Sequence, residues 1–132
     1  MNKYYYSLLV LLMIFNPSCN DKSDDIVFTS LSGVYKCQEN SVHSGFRSYL
    51  VEIDNVKGQD NLYIILNFHN SGDNEFIYAI KDNDTLRFDN QLINNLFISG
   101  KGKISDDLRN LDLFYLTYDG QTQLEFYSRI FR

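Results

Sequence analysis

Cysteine, proline and histidine are scarce in this chain, and each scarcity closes off a class of protein. Its two cysteines, Cys19 and Cys37, lie in different settings: Cys19 closes an apolar segment and Cys37 sits in an alternating pattern. A bridge between them is possible but would be the sole one, so there is no disulfide framework and stability must come from a core. The lone proline is Pro17, which leaves the rest of the chain without one. His43 and His69 are the only histidines, and no paired ligand spacing joins them to Cys37 in a metal motif, so neither metal nor cofactor is expected. Both histidines are read as exposed residues at turns or strand ends.

Positive charge is also in short supply. Twelve Lys and Arg face 17 Asp and Glu for a net charge of −5. The basic residues are scattered rather than clustered, which excludes the usual footprint of nucleic-acid binding. A long hydrophobic run is missing too. Tyr4 to Phe15 spans twelve residues with only Ser7 polar, too short for a bilayer span of about 20 residues. Preceded by Lys3 and stopped by Pro17, it fits the core of a secretion signal. Helical periodicity is sustained nowhere.

What is present is apolar and aromatic material in strand-like order. Apolar residues make up 44% and aromatics 15% of the chain, enough for one folded domain with a modest core. From Leu31 onward the apolar residues alternate with period two. Gly33, Tyr35 and Cys37 share one parity in the first run, and Tyr49, Val51 and Ile53 in the second. The third run is read with Leu62, Ile64, Leu66 and Phe68 on its core face, and the fourth with Phe76, Tyr78 and Ile80. A short fifth holds Leu86 and Phe88, and a sixth holds Leu96, Ile98 and Ile104. The seventh carries Leu111, Leu113 and Tyr115, and the last Leu124, Phe126 and Ile130.

Between the runs stand turn residues: Ser44-Gly45, Gly58, Ser71-Gly72, Asp82-Asn83-Asp84, Asp106-Asp107 and Asp119-Gly120. Asp-Gly tolerates the positive φ that matches a hairpin to the strand twist. Residues 89 to 95 break the alternation and are read as a loop or a single helical turn. Short links pair sequence neighbours, so residues 29–132 are expected to form a single all-β domain. It would be an antiparallel meander of about eight strands, closed as a small barrel or folded as a sandwich. Closure would remove exposed edges.

Asn16-Pro17-Ser18-Cys19, following the apolar run, resembles the cysteine box of a bacterial lipoprotein signal, with Asn16 and Pro17 where that family carries Leu and a small residue. The resemblance implies a signal peptide over residues 1–18, cleavage before Cys19, and acyl chains on Cys19 that hold the protein at a membrane. Cleavage would remove Lys3 from the twelve basic residues, leaving 11 against 17 acidic and a net charge of −6. Lys22, Ser23, Asp24 and Asp25, in the tether 19–28, resemble the acidic signal that sends Bacteroidota lipoproteins to the cell surface. The implied location is the outer membrane, lipid-anchored and facing outward. Asp84-Thr85-Leu86 matches the three-residue acceptor pattern for O-glycosylation in the same bacteria, with Thr85 as the candidate. Leu31-Ser32-Gly33-Val34-Tyr35 looks like the Gly-x-Trp opening of lipocalin-like barrels, Tyr35 standing for Trp. Arg129 is then the candidate for the last-strand arginine that lies across the ring. "LNFHNSG", "ISGKGKIS" and "LDLFYLTYDG" are similar to segments of small Bacteroidota surface lipoproteins built as β-meanders, a likeness that implies architecture and location.

Other constellations are weaker. Asp82-Asn83-Asp84 begins like a calcium loop, but Arg87 stands where the sixth-position Gly belongs and no Glu follows at the twelfth. "SGKGKIS" lacks the ending of a phosphate loop, and Gly100 and Gly102 share the parity of Ile98 and Ile104, which suits a strand bend or barrel corner. Lys101 and Lys103 then point outward. Of the 20 Phe and Tyr, the four at Tyr4, Tyr5, Tyr6 and Phe15 precede the mature chain, leaving 16. Most must build the core. Tyr63, Phe97, Phe114, Tyr118, Tyr127 and Phe131 oppose their strands' apolar faces and are candidate ligand or partner contacts. With no nucleophile and base in recognisable array, the domain is read as non-catalytic. It would bind a glycan or small apolar molecule or, alternatively, serve as an interaction subunit of a larger surface complex. A concave aromatic cluster or an unfilled barrel interior would favour the ligand-binding module, and a filled interior with a flat exposed patch of outward aromatics would favour the subunit.

Overall fold

The computed structural model describes residues 26–132; Cys19, Lys22, Ser23, Asp24 and Asp25 lie outside the described residues. Eight antiparallel strands form a closed barrel: β1 (Gly33–Ser41), β2 (Gly45–Asn55), β3 (Leu62–Leu66), β4 (Phe76–Asp82), β5 (Thr85–Ile93), β6 (Leu96–Ile104), β7 (Asn110–Tyr118) and β8 (Gln123–Phe131). Each strand pairs with its neighbours in sequence, and β8 returns to β1 from Lys36↔Phe131 to Asn40↔Tyr127. The barrel, not the sandwich, is the outcome. Among the described residues no helix is long and apolar enough to cross a membrane.

The alternation read in the first two and last three runs sets the inward faces as expected. Tyr35 and Cys37, Val51 and Ile53, Leu113 and Tyr115, Phe126 and Ile130 are all buried. In β3 and β4 the reading inverts. Tyr63 and Ile65 point inward, as do Ile77 and Ala79, while Leu62, Ile64 and Leu66 are half-buried and Phe76, Tyr78 and Ile80 are exposed. These strands are apolar on both faces, so alternation alone carries no sign. Register supplies it: Ile53, buried on β2, pairs with Ile65, which pairs in turn with Ile77, and partnered residues share a face of the sheet.

Residues 89 to 95 are strand and turn, not loop or helix. In β5, Phe88 pairs with Gly100 but Gln91 with Ile98, a bulge that inserts one extra residue and switches the inward parity from Leu86 and Phe88 to Ile93. Asn94 and Asn95, at φ 48° and 65°, then turn the hairpin. Above the bulge, β4 loses its pairing with β5, and Gln91 fills the gap. Its Oε1 accepts from the Tyr78 N–H at 2.7 Å and its Nε2 donates to the Tyr78 carbonyl at 2.7 Å. Gly100 and Gly102 lie in unbroken strand where β6 comes close against β7. A side chain at Gly100 would collide with Tyr115 Cβ and come within 2.6 Å of the Phe114 carbonyl oxygen, so β6 and β7 approach closely only because those positions are bare.

One end of the barrel is closed by the chain entering it. Tyr35 donates its hydroxyl hydrogen to the Leu31 carbonyl at 2.7 Å, and Leu31 is buried. Burial pushes that hydroxyl's pKa up to about 12 against the opposing pull of Arg132. The arginine across the ring is Arg132, 4.7 Å from the Tyr35 centroid and 3.8 Å from that of Phe28. It also donates to the Ser32 carbonyl at 2.8 Å. Arg129 has the wrong parity: it faces out and pairs with Asp112 at 2.7 Å.

Candidate functional site

The other end is plugged by a 3-10 turn, Phe68–Asn70, between β3 and β4. Asn67, His69 and Asn70 take left-handed backbone angles near φ 55–59°, unfavourable for residues with a Cβ and tolerated best by Asn. Asn67 anchors the turn by donating to the Leu50 carbonyl at 2.8 Å and accepting from the Gly72 N–H at 2.8 Å. The geometry drives Phe68 into the barrel, with ring centroids 4.8 Å from Tyr115 and 5.1 Å from Phe88. Tyr115 stacks on Phe126 at 5.1 Å. Inward side chains from all eight strands thus fill the interior.

Beneath the plug lies a charge. Glu39 is 1% exposed, and its carboxylate accepts from Arg47 Nε at 2.9 Å, from the Tyr49 hydroxyl at 2.7 Å and, in a short contact, from the Tyr115 hydroxyl. A second guanidinium nitrogen of Arg47 also closes on it. His69 Nδ1 is 3.8 Å from the carboxylate, 2.6 Å from the Tyr115 oxygen and 3.1 Å from Arg47 Nη2. His69 is therefore no exposed strand end. Burial by itself would raise the Glu39 pKa, but nearby His69 and the hydrogen bonds from Tyr115, Tyr49 and Arg47 outweigh it and hold it at about 2. Burial first, and the neighbouring negative charge next, push the Tyr115 hydroxyl well above the ordinary tyrosine range. Burial raises the nearby Cys37 thiol to about 11, so it stays protonated. A carboxylate so saturated with donors is a latch drawing β1, β2 and β7 together, which the plug joins through the contacts of His69 with Tyr115 and Arg47, rather than a base poised near neutrality. Glu39 and Arg47 escaped the sequence reading, although each continues the inward parity of its run and they are direct cross-strand partners.

Outside, the candidate contacts divide. Tyr63 is 8% exposed and built into the core, because register turns β3 the other way. Phe97, Tyr118 and Tyr127 are exposed, and Phe114 and Phe131 are half-buried, all on the outer wall. Cross-strand pairing brings Phe97 beside Tyr118, and Phe114 beside Tyr127 with ring centroids 4.9 Å apart. Tyr127, 60% exposed, is the point where three grooves meet. The first, about 400 Å³, opens where β1 and β8 splay apart and is walled by Asn40, Ser41, His43, Gln123 and Glu125. The second, about 450 Å³, has Phe114 and Leu113 beside Lys101, Lys103 and Thr85 over the bare Gly102. The third, about 400 Å³, runs past Gln38, Asp112 and Arg129. Thr85 sits at the start of β5 and its hydroxyl donates to Asp84 at 3.2 Å. Among the described residues no group of three or more His, Cys, Asp and Glu is placed to hold a metal ion.

Comparison with protein-family models, with curated proteins and with solved structures finds no match for this chain.

Proposed function

We propose that this protein is a lipoprotein held in the outer membrane by acyl chains on Cys19, displayed at the cell surface, and that its barrel binds a glycan on its outer wall without catalysing a reaction. The observation carrying the binding reading is the convergence of three grooves on Tyr127. An exposed ring offers a sugar its apolar face, and the flanking amides, hydroxyls and charges offer its hydroxyls partners. A small apolar ligand held inside the barrel is the poorer fit, since Phe68, Phe88, Tyr115 and Phe126 occupy that space. The non-catalytic reading is supported by the Glu39 carboxyl, held at about 2 and surrounded by donors. The chain enters the barrel at the end opposite the plug, so a tether from Cys19 leaves the plugged end and the Tyr127 wall free to face outward.

Calorimetric titration of the full chain with a panel of neutral and acidic oligosaccharides tests the binding. Saturable heat that falls about tenfold in affinity on Tyr127→Ala is expected, the size of a lost aromatic contact; a panel without binding, or binding indifferent to Tyr127→Ala, refutes it. For the anchor, a polypeptide mass beginning at Cys19 with added acyl chains, lost in Cys19→Ser, is expected; an unmodified chain refutes it. The interaction-subunit reading is favoured by a different observation, on the opposite wall.

A further inference from the structure

On β3 and β4 the outer face is apolar from Leu62 to Leu66 and from Phe76 to Ile80, and only Asp82 at the end of β4 is charged. Three successive cross-strand pairs, Leu62↔Ile80, Ile64↔Tyr78 and Leu66↔Phe76, set six large apolar side chains side by side on the solvent face of the barrel. Tyr78 is 48% and Phe76 42% exposed, their rings packed edge to face at 5.3 Å. Leu50, also exposed, extends the patch beside Leu66. Antiparallel sheets that face water on one side alternate apolar with polar residues, and a contiguous apolar patch rimmed by polar groups marks a surface that meets another molecule.

The rim identifies that molecule's charge. Glu52 and Asp54 stand on β2 as direct partners of Leu66 and Ile64, and Asp73 and Glu75 lie in the segment leading into Phe76. Among the described residues none of these four carboxylates has an ion-pair partner within 4 Å. Glu52 and Asp73 line a notch of about 250 Å³ with Leu50 and Leu66 at the upper corner of the patch. Against them stand two positive charges, Arg87 on the far flank opposite Ile80 and Lys36 beside Leu50 on the near one.

We infer that the β3–β4 face docks a partner protein through a segment that carries an apolar stripe flanked by lysine or arginine. The partner's cations would neutralise Glu52, Asp54, Asp73 and Glu75 while its apolar side chains cover Tyr78 and Phe76. A second copy of this chain is a poor occupant, because Arg87 and Lys36 cannot balance four carboxylates brought together from each subunit. An anionic lipid surface is repelled by the same rim. The inference does not rest on glycan binding, which uses the other wall.

The test uses the full chain in nanodiscs of zwitterionic lipid, with empty nanodiscs as reference, and two labelled amphipathic peptides, one of Leu and Lys and one of Leu and Glu. Fluorescence anisotropy should show saturable binding of the Leu/Lys peptide, weakening as salt screens the rim. Tyr78→Lys, and separately the pair Glu52→Lys with Asp54→Lys, should each reduce affinity about tenfold or more, the scale of a central contact. Tyr127→Ala should leave it unchanged. Should Tyr78→Lys fail to fold, the rim pair decides, since both of its side chains are exposed. Equal binding of the Leu/Glu peptide, or binding indifferent to the variants, overturns the inference. So does concentration-dependent dimerisation abolished by Tyr78→Lys, or adsorption to anionic vesicles that the same variant removes.

Discussion

Replacing Glu39 by Gln removes the one charge buried beneath the plug and keeps the side chain's shape, so it isolates what the carboxylate contributes. In the folded barrel its pKa is lowered from 4.5 to about 2, and each tenfold in proton affinity is worth about 1.4 kcal/mol. Stabilisation of roughly 3 kcal/mol at neutral pH follows. Arg47, 32% exposed, can turn toward water when the carboxylate is gone, which keeps the loss at the lower end of the roughly 3–5 kcal/mol for breaking a buried pair. Because the folded pKa is the depressed one, the contribution is complete above the unfolded value near 4.5 and is lost as pH falls through about 2. By pH 3, roughly 2 kcal/mol of it is gone. Urea denaturation of both proteins at pH 7 and at pH 3 measures this as a difference of differences, in which every other carboxylate cancels. The wild type should lead by roughly 3 kcal/mol at pH 7 and by little more than about 1 kcal/mol at pH 3. Equal stabilities at pH 7, or stability curves that run parallel between the two pH values, would refute the latch.

Phe68→Ala should cost about 3–5 kcal/mol by emptying the space between Tyr115 and Phe88, read as a lowered denaturation midpoint; a loss under about 1 kcal/mol would mean that the plug is not part of the cooperative core. Gly100→Ala should destabilise by about 1–3 kcal/mol, because the new methyl meets Tyr115 and the β7 backbone, whereas an unchanged denaturation midpoint would remove the argument from close approach of β6 and β7. Arg132→Ala should lower stability by about 1–2 kcal/mol through loss of its contacts with Tyr35, Phe28 and the Ser32 carbonyl. Arg129→Ala, fully outside the barrel, should leave the thermal midpoint where it was, and the reverse order would restore Arg129 as the ring-covering residue.

How much of this was open to a reader of the sequence depends on whether a strand has a polar face. In β1, β2, β7 and β8 one face is polar enough for period two to point inward unaided, and the hairpin at Asp119-Gly120 is local chemistry: the Asp119 carboxylate accepts from the Gln121 and Thr122 N–H groups at 2.8 and 2.7 Å. The eight strands and the meander are legible for that reason. Where both faces are apolar, as in β3 and β4, alternation is silent about direction, and the same silence concealed the exposed ladder of Tyr78 and Phe76. The bulge in β5 read as a loop because one extra residue breaks parity while leaving the strand intact. Glu39 and Arg47 carried a signal, charge on a core-facing parity, but their partners His69 and Tyr115 lie 30 and 76 positions from Glu39, so only the closed barrel brings them together.

Local chemistry along the chain thus determined the strands, the turns and the all-β class, since these depend on residues within a few positions of one another. Tertiary structure alone decided closure of β8 onto β1, the inward turn of Tyr63, the arginine that covers Tyr35 and the meeting of three grooves at Tyr127. Each of those depends on register between strands, which is set by the whole barrel's need to bury one face of every strand at once.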